Sequence, residues 1–319
     1  MNIGSESAAR ELARVQVGPH VVTIGNFDGV HRGHLLLIEL VRTRAHADST
    51  RSLVVTFEPH PASVLRPDAP FERLTSPEAK RRLLEATGVD NVAVIPFDRA
   101  FSTLSPEGFL RLLTDAVQPT AVFVGEGFRF GHGRSGDGST IETFGRTAGF
   151  DARVVTRLSD GEQIISSSLI RGALHSGRLA DAANMLGRRY RISGTVEHGV
   201  ARGRELGYPT ANLHLPGWTC VPKDGIYAGY AHIDARHLGA RQAMIYIGTR
   251  PTFDSGERLV EVNILDFSGD LYTLDLEIEF VEFVREDAAF DSVEDLVRQI
   301  ADDESTTRAL LGADAPEND

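Results

Sequence analysis

The hydrophobic pattern changes character past the middle of the chain. Aliphatic and β-branched runs at residues 21–24 (VVTI), 53–57 (LVVTF), 92–96 and 121–124 read as buried strands. Between them, helical periodicity starts at Leu35, covers 77–86 and runs from Pro106 to about Ala116. This alternation predicts an open parallel sheet wound on both faces, in which ligands gather at the carboxyl ends of the strands. Helical residues 179–186 stop at Gly187, and from Tyr190 onward short alternating strands and glycine turns take over. Strands are expected at 226–233, 243–247 and 259–265, and again where Leu274, Leu276, Ile278 and Phe280 alternate with Asp275, Glu277 and Glu279. They predict a small antiparallel barrel. Asp291 or Ser292 then caps a helix whose Val293, Leu296, Val297 and Ile300 are spaced to pack one face on the barrel, and the acidic tail beyond Leu311 is expected to fray. The domain boundary falls near 187, giving 1–186 and 187–319.

Composition narrows the function. A chain of 319 residues accommodates about two domains, and 41% hydrophobic with 24% charged residues is enough to bury a core. The formal net charge of −12 argues against general affinity for nucleic acid or an anionic membrane. Of 33 basic residues only Lys80 and Lys223 are lysines, so arginines and backbone amides are expected to hold any phosphate. The single cysteine, Cys220, allows no internal disulfide and fits a reducing cytoplasm. No signal-like start and no run of roughly 20 apolar residues is present, so a cytoplasmic protein is expected. Oligomeric state is left open, a homo-oligomer included.

The chemistry of the first half centres on TIGNFDGVHRGH, residues 23–34. Gly25 and Gly29 end the strand, and the helix that follows presents unpaired N–H groups and the positive end of its dipole, an anion site. His31 and His34, three apart, add two imidazoles to the same side of the first turn. Donors gathered in this way suit phosphoryl or nucleotidyl transfer. A metal role for the pair would need further ligands, and neither HExxH nor CxxC exists. No Walker lysine follows a GxxxxG run. Two further strand exits carry candidates: Glu58-Pro59-His60-Pro61, and the glycine-rich 125–137, where Phe128 and Phe130 could stack on a flat ring and Arg129 and Arg134 could meet phosphate. A plain solvated loop would explain the latter equally. In IISSSLIR, 164–171, Ser167 or Ser168 can cap a helix from which Arg171 reaches back to a phosphate.

In the second half the chemistry lies in GVARGRELGYPTAN, residues 199–212. Gly203 and Gly207 keep the backbone open, Arg202 and Arg204 bring charge, and Thr210 and Asn212 project from one face of an extended segment toward a hydrated Mg²⁺ or a phosphate.

GNFDGVHRGH resembles the signature of the HxGH nucleotidyltransferases, most closely the amino-terminal module of the prokaryotic bifunctional riboflavin kinase/FMN adenylyltransferase family. The later segments are similar to that family in order: EPHP, FGxxxxGD at Phe130, Gly131, Gly136 and Asp137, SSTxIR with Ser168 for Thr, and GRxLGxPTAN from Gly203 to Asn212. The resemblance implies a Rossmann-like adenylyltransferase domain followed by an antiparallel riboflavin kinase barrel with a carboxy-terminal helix. It implies ATP, riboflavin, FMN and FAD as substrates and products, and Mg²⁺ held through Thr210 and Asn212. A glutamate base matches Glu261 in VEVNILDFSGDLY, where Glu261 and Asn263 share one face of a strand. By the same resemblance His31, His34 and Arg171 assist adenylyl transfer. Gly25, Phe27, Gly29, Ser167 and Ser168 hold nucleotide in the first domain, as do Gly203, Arg204 and Gly207 with Thr210 and Asn212 in the second. Pro59, His60, Phe128, Phe130 and Asp137 border the flavin. One position departs: the family has Asn or Asp where this chain has Gly127. That motivates one alternative, a monofunctional riboflavin kinase with a degenerate first domain. A non-catalytic flavin-binding regulator is the alternative from another class.

Overall fold

The computed structural model describes residues 3–160, 163–198, 203, 206–233, 239–249 and 258–312. Two compact units divide the chain: Met1–Phe71 with Pro77–Ser167, and Glu72–Ser76 with Ser168–Asp319.

In the first unit, β1 (His20–Ile24), β2 (Arg51–Glu58), β3 (Asn91–Pro96), β4 (Pro119–Gly125) and β5 (Asp151–Val155) form a sheet that is parallel throughout, in the order β3-β2-β1-β4-β5. Successive strand residues point to opposite faces, so each strand feeds two cores. Val21, Val54, Ala121 and Phe123 meet Leu37, Ile38 and Val41 of α2 (Arg32–Ala47) and Leu84 of α4 (Pro77–Glu85). Val22, Ile24, Leu53, Val55, Val122 and Val124 meet Leu12 of α1 (Ile3–Leu12), Leu110 and Leu113 of α5 (Pro106–Val117) and Ile141 of α6 (Gly138–Ala148). The strand order reverses between β1 and β4, the kind of switch point at whose carboxyl ends open parallel sheets take their ligands.

The expected strands and helices are all present in this unit, each within a few residues of its expected limits. Among the described residues, the elements not legible in the sequence include α1, the five-residue α3 (Pro61–Leu65), α6 and β5. The α6 segment carries two glycines and three β-branched residues in its first eight positions, a poor helix former by composition. It is fixed instead by its ends, a capping box between Asp137 and Thr140 and a left-handed Gly149 at φ +83°.

In the second unit, α7 (Ser167–His175, its first residue counted with the first unit) and α8 (Leu179–Leu186) precede a closed antiparallel barrel, which among the described residues has six strands. These are β8 (Arg191–Glu197), β9 (Ala211–His214), β10 (Gly225–His232), β11 (Ala240–Thr249), β12 (Arg258–Ile264) and β13 (Asp275–Arg285), ordered β10-β11-β12-β9-β8-β13 and closed by β13 pairing β10. Between the units' strands, β6 (Ser159–Asp160) and β7 (Gln163–Ile164) pair as a minimal ribbon.

Two surface expectations are corrected. Glu279, placed on the polar side by alternation, is buried at 3% exposure and holds Arg189, Arg191 and His232. The carboxy-terminal helix, Val293–Leu311, is capped by Ser292 as expected, but Val293 is 58% exposed and the deepest face is Asp303, Thr307 and Leu311. A two-point grip of Arg285 on Asp303, at 2.8 and 2.7 Å, seats that face. The tail from residue 313 lies outside the described residues.

Candidate active sites

The loop leaving β1 owes its shape to three residues in the left-handed region: Phe27 (φ +52°), Gly29 (φ +82°) and Val30 (φ +39°). It delivers His31 to the N-cap of α2, where Nδ1 accepts a long hydrogen bond from the His34 N–H at 3.4 Å. The two imidazoles stack with centroids 3.6 Å apart, and the edge of Phe27 packs on His34 at 5.1 Å. Phe27 is 1% exposed, so its ring supports the histidines from within the core.

A buried lysine ties this loop to the next. Lys80 donates to the carbonyls of Asn26 (3.4 Å) and Phe57 (3.0 Å) and pairs with Glu58 at 2.6 Å. The Thr56 hydroxyl donates to the same Asn26 carbonyl. The loop after β1 is thereby held against the carboxyl end of β2. Sequence spacing gives Lys80 no Walker role; that it is one of only two lysines is the one signal that points to it. His60 caps α3 by accepting from the Ala62 N–H and stacks on Phe71 at 4.4 Å, directly after the cis Glu58–Pro59 bond.

Ser167 and Ser168 lie inside α7 rather than capping it. Ser167 instead donates to the Asp28 carbonyl at 2.9 Å, and Ser168 accepts from Arg171 at 3.3 Å. In the glycine-rich segment after β4, Phe130 is 9% exposed and packs on Phe109, with Phe128 stacked over it at 5.5 Å. Asp137 caps α6 and pairs with Arg129 at 3.1 Å; hydrogen bonds from Ser139 and the Thr140 N–H hold its carboxyl below the usual range. Gly127 sits at φ +77°, and a β-carbon there would collide with the Arg157 guanidinium, which is anchored on the Glu126 carbonyl. In this chain the space beside residue 127 belongs to Arg157.

In the barrel, three neighbouring strands set Asn212 of β9, Glu261 of β12 and Tyr246 of β11 in one row. Residues directly opposed across an antiparallel ladder point to the same face, so one surface gathers all three side chains. Tyr246 donates to Asp287 at 2.9 Å; burial first, then Asp287 and the Glu261 carboxylate, push its phenol up. Asn263 is 6% exposed and donates to the Pro209 carbonyl at 2.8 Å, clamping the segment that carries Thr210 and Asn212. Gly203 allows that turn to close, because a β-carbon would strike the Tyr208 carbonyl. The Asn212 Oδ1 is buried and has no hydrogen-bond partner among the described residues. A buried bare oxygen on the residue opposite the Glu261 carboxylate fits a hard divalent cation. Arg202 and Arg204 lie outside the described residues, as do Pro251 and Thr252.

Family models match this division of labour: FAD synthetase over residues 14–169 and riboflavin kinase over 186–311. The chain is 37% identical to the bifunctional riboflavin kinase/FMN adenylyltransferase of Escherichia coli strain K12, covering 93% of this chain and 94% of that protein. The chain belongs to the bifunctional riboflavin kinase/FMN adenylyltransferase family. A Listeria monocytogenes member is 36% identical over 91% of this chain and 92% of its own length. A solved structure from Streptococcus pneumoniae, described as a macrolide-efflux protein, has a TM-score of 0.83 at 31% identity and covers 93% of this chain and 96% of its own. Among the described residues no helix here is long and apolar enough to cross a membrane.

Proposed function

We propose that this chain makes FAD from riboflavin in two steps, each in its own unit. In the barrel, the terminal ribityl hydroxyl of riboflavin attacks the γ-phosphorus of ATP, ADP leaves, and Glu261 accepts the hydroxyl proton. Asn212 and Thr210 would hold Mg²⁺, which neutralises phosphate charge when bound. Asn263 fixes both donors through the Pro209 carbonyl. Positioning and charge supply most of such catalysis.

In the first unit, an FMN phosphate oxygen attacks the α-phosphorus of a second ATP, and pyrophosphate leaves. His31 and His34, at the positive end of α2, donate to the oxygens on which charge accumulates. The flavin is assigned to the EPHP and glycine-rich loops, with Pro59, His60 and Phe128 as its neighbours. For Phe130 and Asp137 the reading is a supporting one, since core packing and helix capping already occupy them.

The observation that carries the kinase assignment is the pairing of Glu261 with Asn212, whose oxygen is bare. Chromatography of flavins after incubation with riboflavin, ATP and Mg²⁺ tests both steps. FAD is the expected product. FMN alone, persisting when FMN itself is supplied, would remove the adenylyl-transfer half.

A further inference from the structure

Apart from both sites, the second unit brings together three ligand-bearing side chains that are remote in sequence. Glu72, His175 and Cys220 place one carboxylate oxygen, one imidazole nitrogen and one sulfur within 4.8 Å of one another. The His175 Nε2 is 2.7 Å from Glu72 Oε2 and 3.6 Å from Cys220 Sγ. Each ligand comes from a separately anchored segment. Cys220 is fully buried, its N–H donates to the Arg73 carbonyl at 2.9 Å, and its own carbonyl accepts from Tyr190 at 2.6 Å. The Arg73 N–H donates to the Trp218 carbonyl, which clips 72–76 alongside 218–220, and the Arg73 guanidinium lies over the Trp218 ring. His175 ends α7, where the helix dipole favours a cation.

We propose that Glu72, His175 and Cys220 form a zinc site. Zinc takes sulfur at about 2.3 Å and nitrogen at about 2.0 Å in tetrahedral geometry, which puts the two ligands about 3.6 Å apart. The Cys220–His175 separation already has this value. The Glu72–His175 contact has the length of a hydrogen bond, and inserting the ion requires that contact to open by about 0.6 Å toward the nitrogen–oxygen edge of such a tetrahedron. On binding, the Cys220 thiol proton and any proton on His175 Nε2 are released to water, and sulfur and nitrogen lone pairs bind the metal. Mixed sulfur, nitrogen and oxygen donors select zinc over magnesium. Glu72 and His175 are partly exposed, which leaves an entry path and room for a water as fourth ligand. The site would staple 72–76 onto the second unit.

The full chain, freed of metal with a chelator, is titrated with Co²⁺ as a spectroscopic stand-in and then with Zn²⁺. Expected are one Co²⁺ with a thiolate-to-metal charge-transfer band, loss of that band in Cys220→Ala, and displacement by Zn²⁺. His175→Ala should weaken binding by more than roughly tenfold. Zn²⁺ should also slow alkylation of Cys220 in the unmodified chain and raise its melting temperature, but not that of Cys220→Ala. Co²⁺ bound without a thiolate band would assign the ion to oxygen ligands elsewhere and overturn the proposal. So would an alkylation rate unmoved by Zn²⁺, a measurement that needs no variant to fold.

Discussion

Glu261 lies directly opposite Asn212 in the β12–β9 ladder, so the proposed base and a proposed metal-holding oxygen share one face through backbone register alone. If Glu261 is the base, Glu261→Gln should lower kcat for FMN formation by roughly a hundred- to ten-thousand-fold. Riboflavin should still bind, and conversion of FMN to FAD should be unchanged. A kcat within a few-fold of the parent chain would assign the base elsewhere.

Asn263 acts through the backbone of the segment it clamps. Asn263→Ala leaves the Pro209 carbonyl without its buried donor, a loss of about 1–3 kcal/mol. The expected signature is a higher KM for Mg-ATP in the kinase step with little change in the adenylyl-transfer step. Denaturant titration beside the kinetics separates a general loss of fold from a displaced Thr210 and Asn212.

Lys80 is buried with its charge paired to Glu58, so Lys80→Met removes one member of a shielded pair and two carbonyl contacts. About 3 kcal/mol of stability should go with it. FAD formation from FMN should fall more than FMN formation from riboflavin, because the loops that lose their tie belong to the first unit. Equal losses in both steps would count against a local role.

Glu279 gives the barrel an acid limit. Burial alone would raise its carboxyl, but hydrogen bonds from His232 and Arg189 and the charge of Arg191 outweigh it and hold the group at about 2, against an ordinary 4.5. A folded-state value below the unfolded one means that the stabilisation is complete above about pH 4.5 and is lost as pH falls toward 2. At about 1.4 kcal/mol per pH unit this amounts to about 3 kcal/mol. Urea midpoints measured from pH 5 to pH 2 should fall more steeply for the parent chain than for Glu279→Gln; parallel curves would show that Glu279 does not set the limit.

The sequence by itself determined the two-part architecture, because period-two and helical spacing are local properties that the chain carries wherever it folds. It also supplied the candidate residues of both proposed sites, and it narrowed the cap of the last helix to Asp291 or Ser292, of which the fold uses Ser292, since motifs and caps are written in contiguous residues. Only the tertiary structure decided which strands adjoin, and with them the Asn212–Glu261–Tyr246 row. It alone turned Lys80 inward, assigned Ser167 to the Asp28 carbonyl, filled the space at Gly127 with Arg157 and buried Glu279 among Arg189, Arg191 and His232. Each of these joins residues about 15 to 140 positions apart, or sets a charged side chain against its surface preference. Spacing cannot encode such contacts: they depend on chain segments meeting in the packed core, where an unpaired polar group is too costly to leave alone.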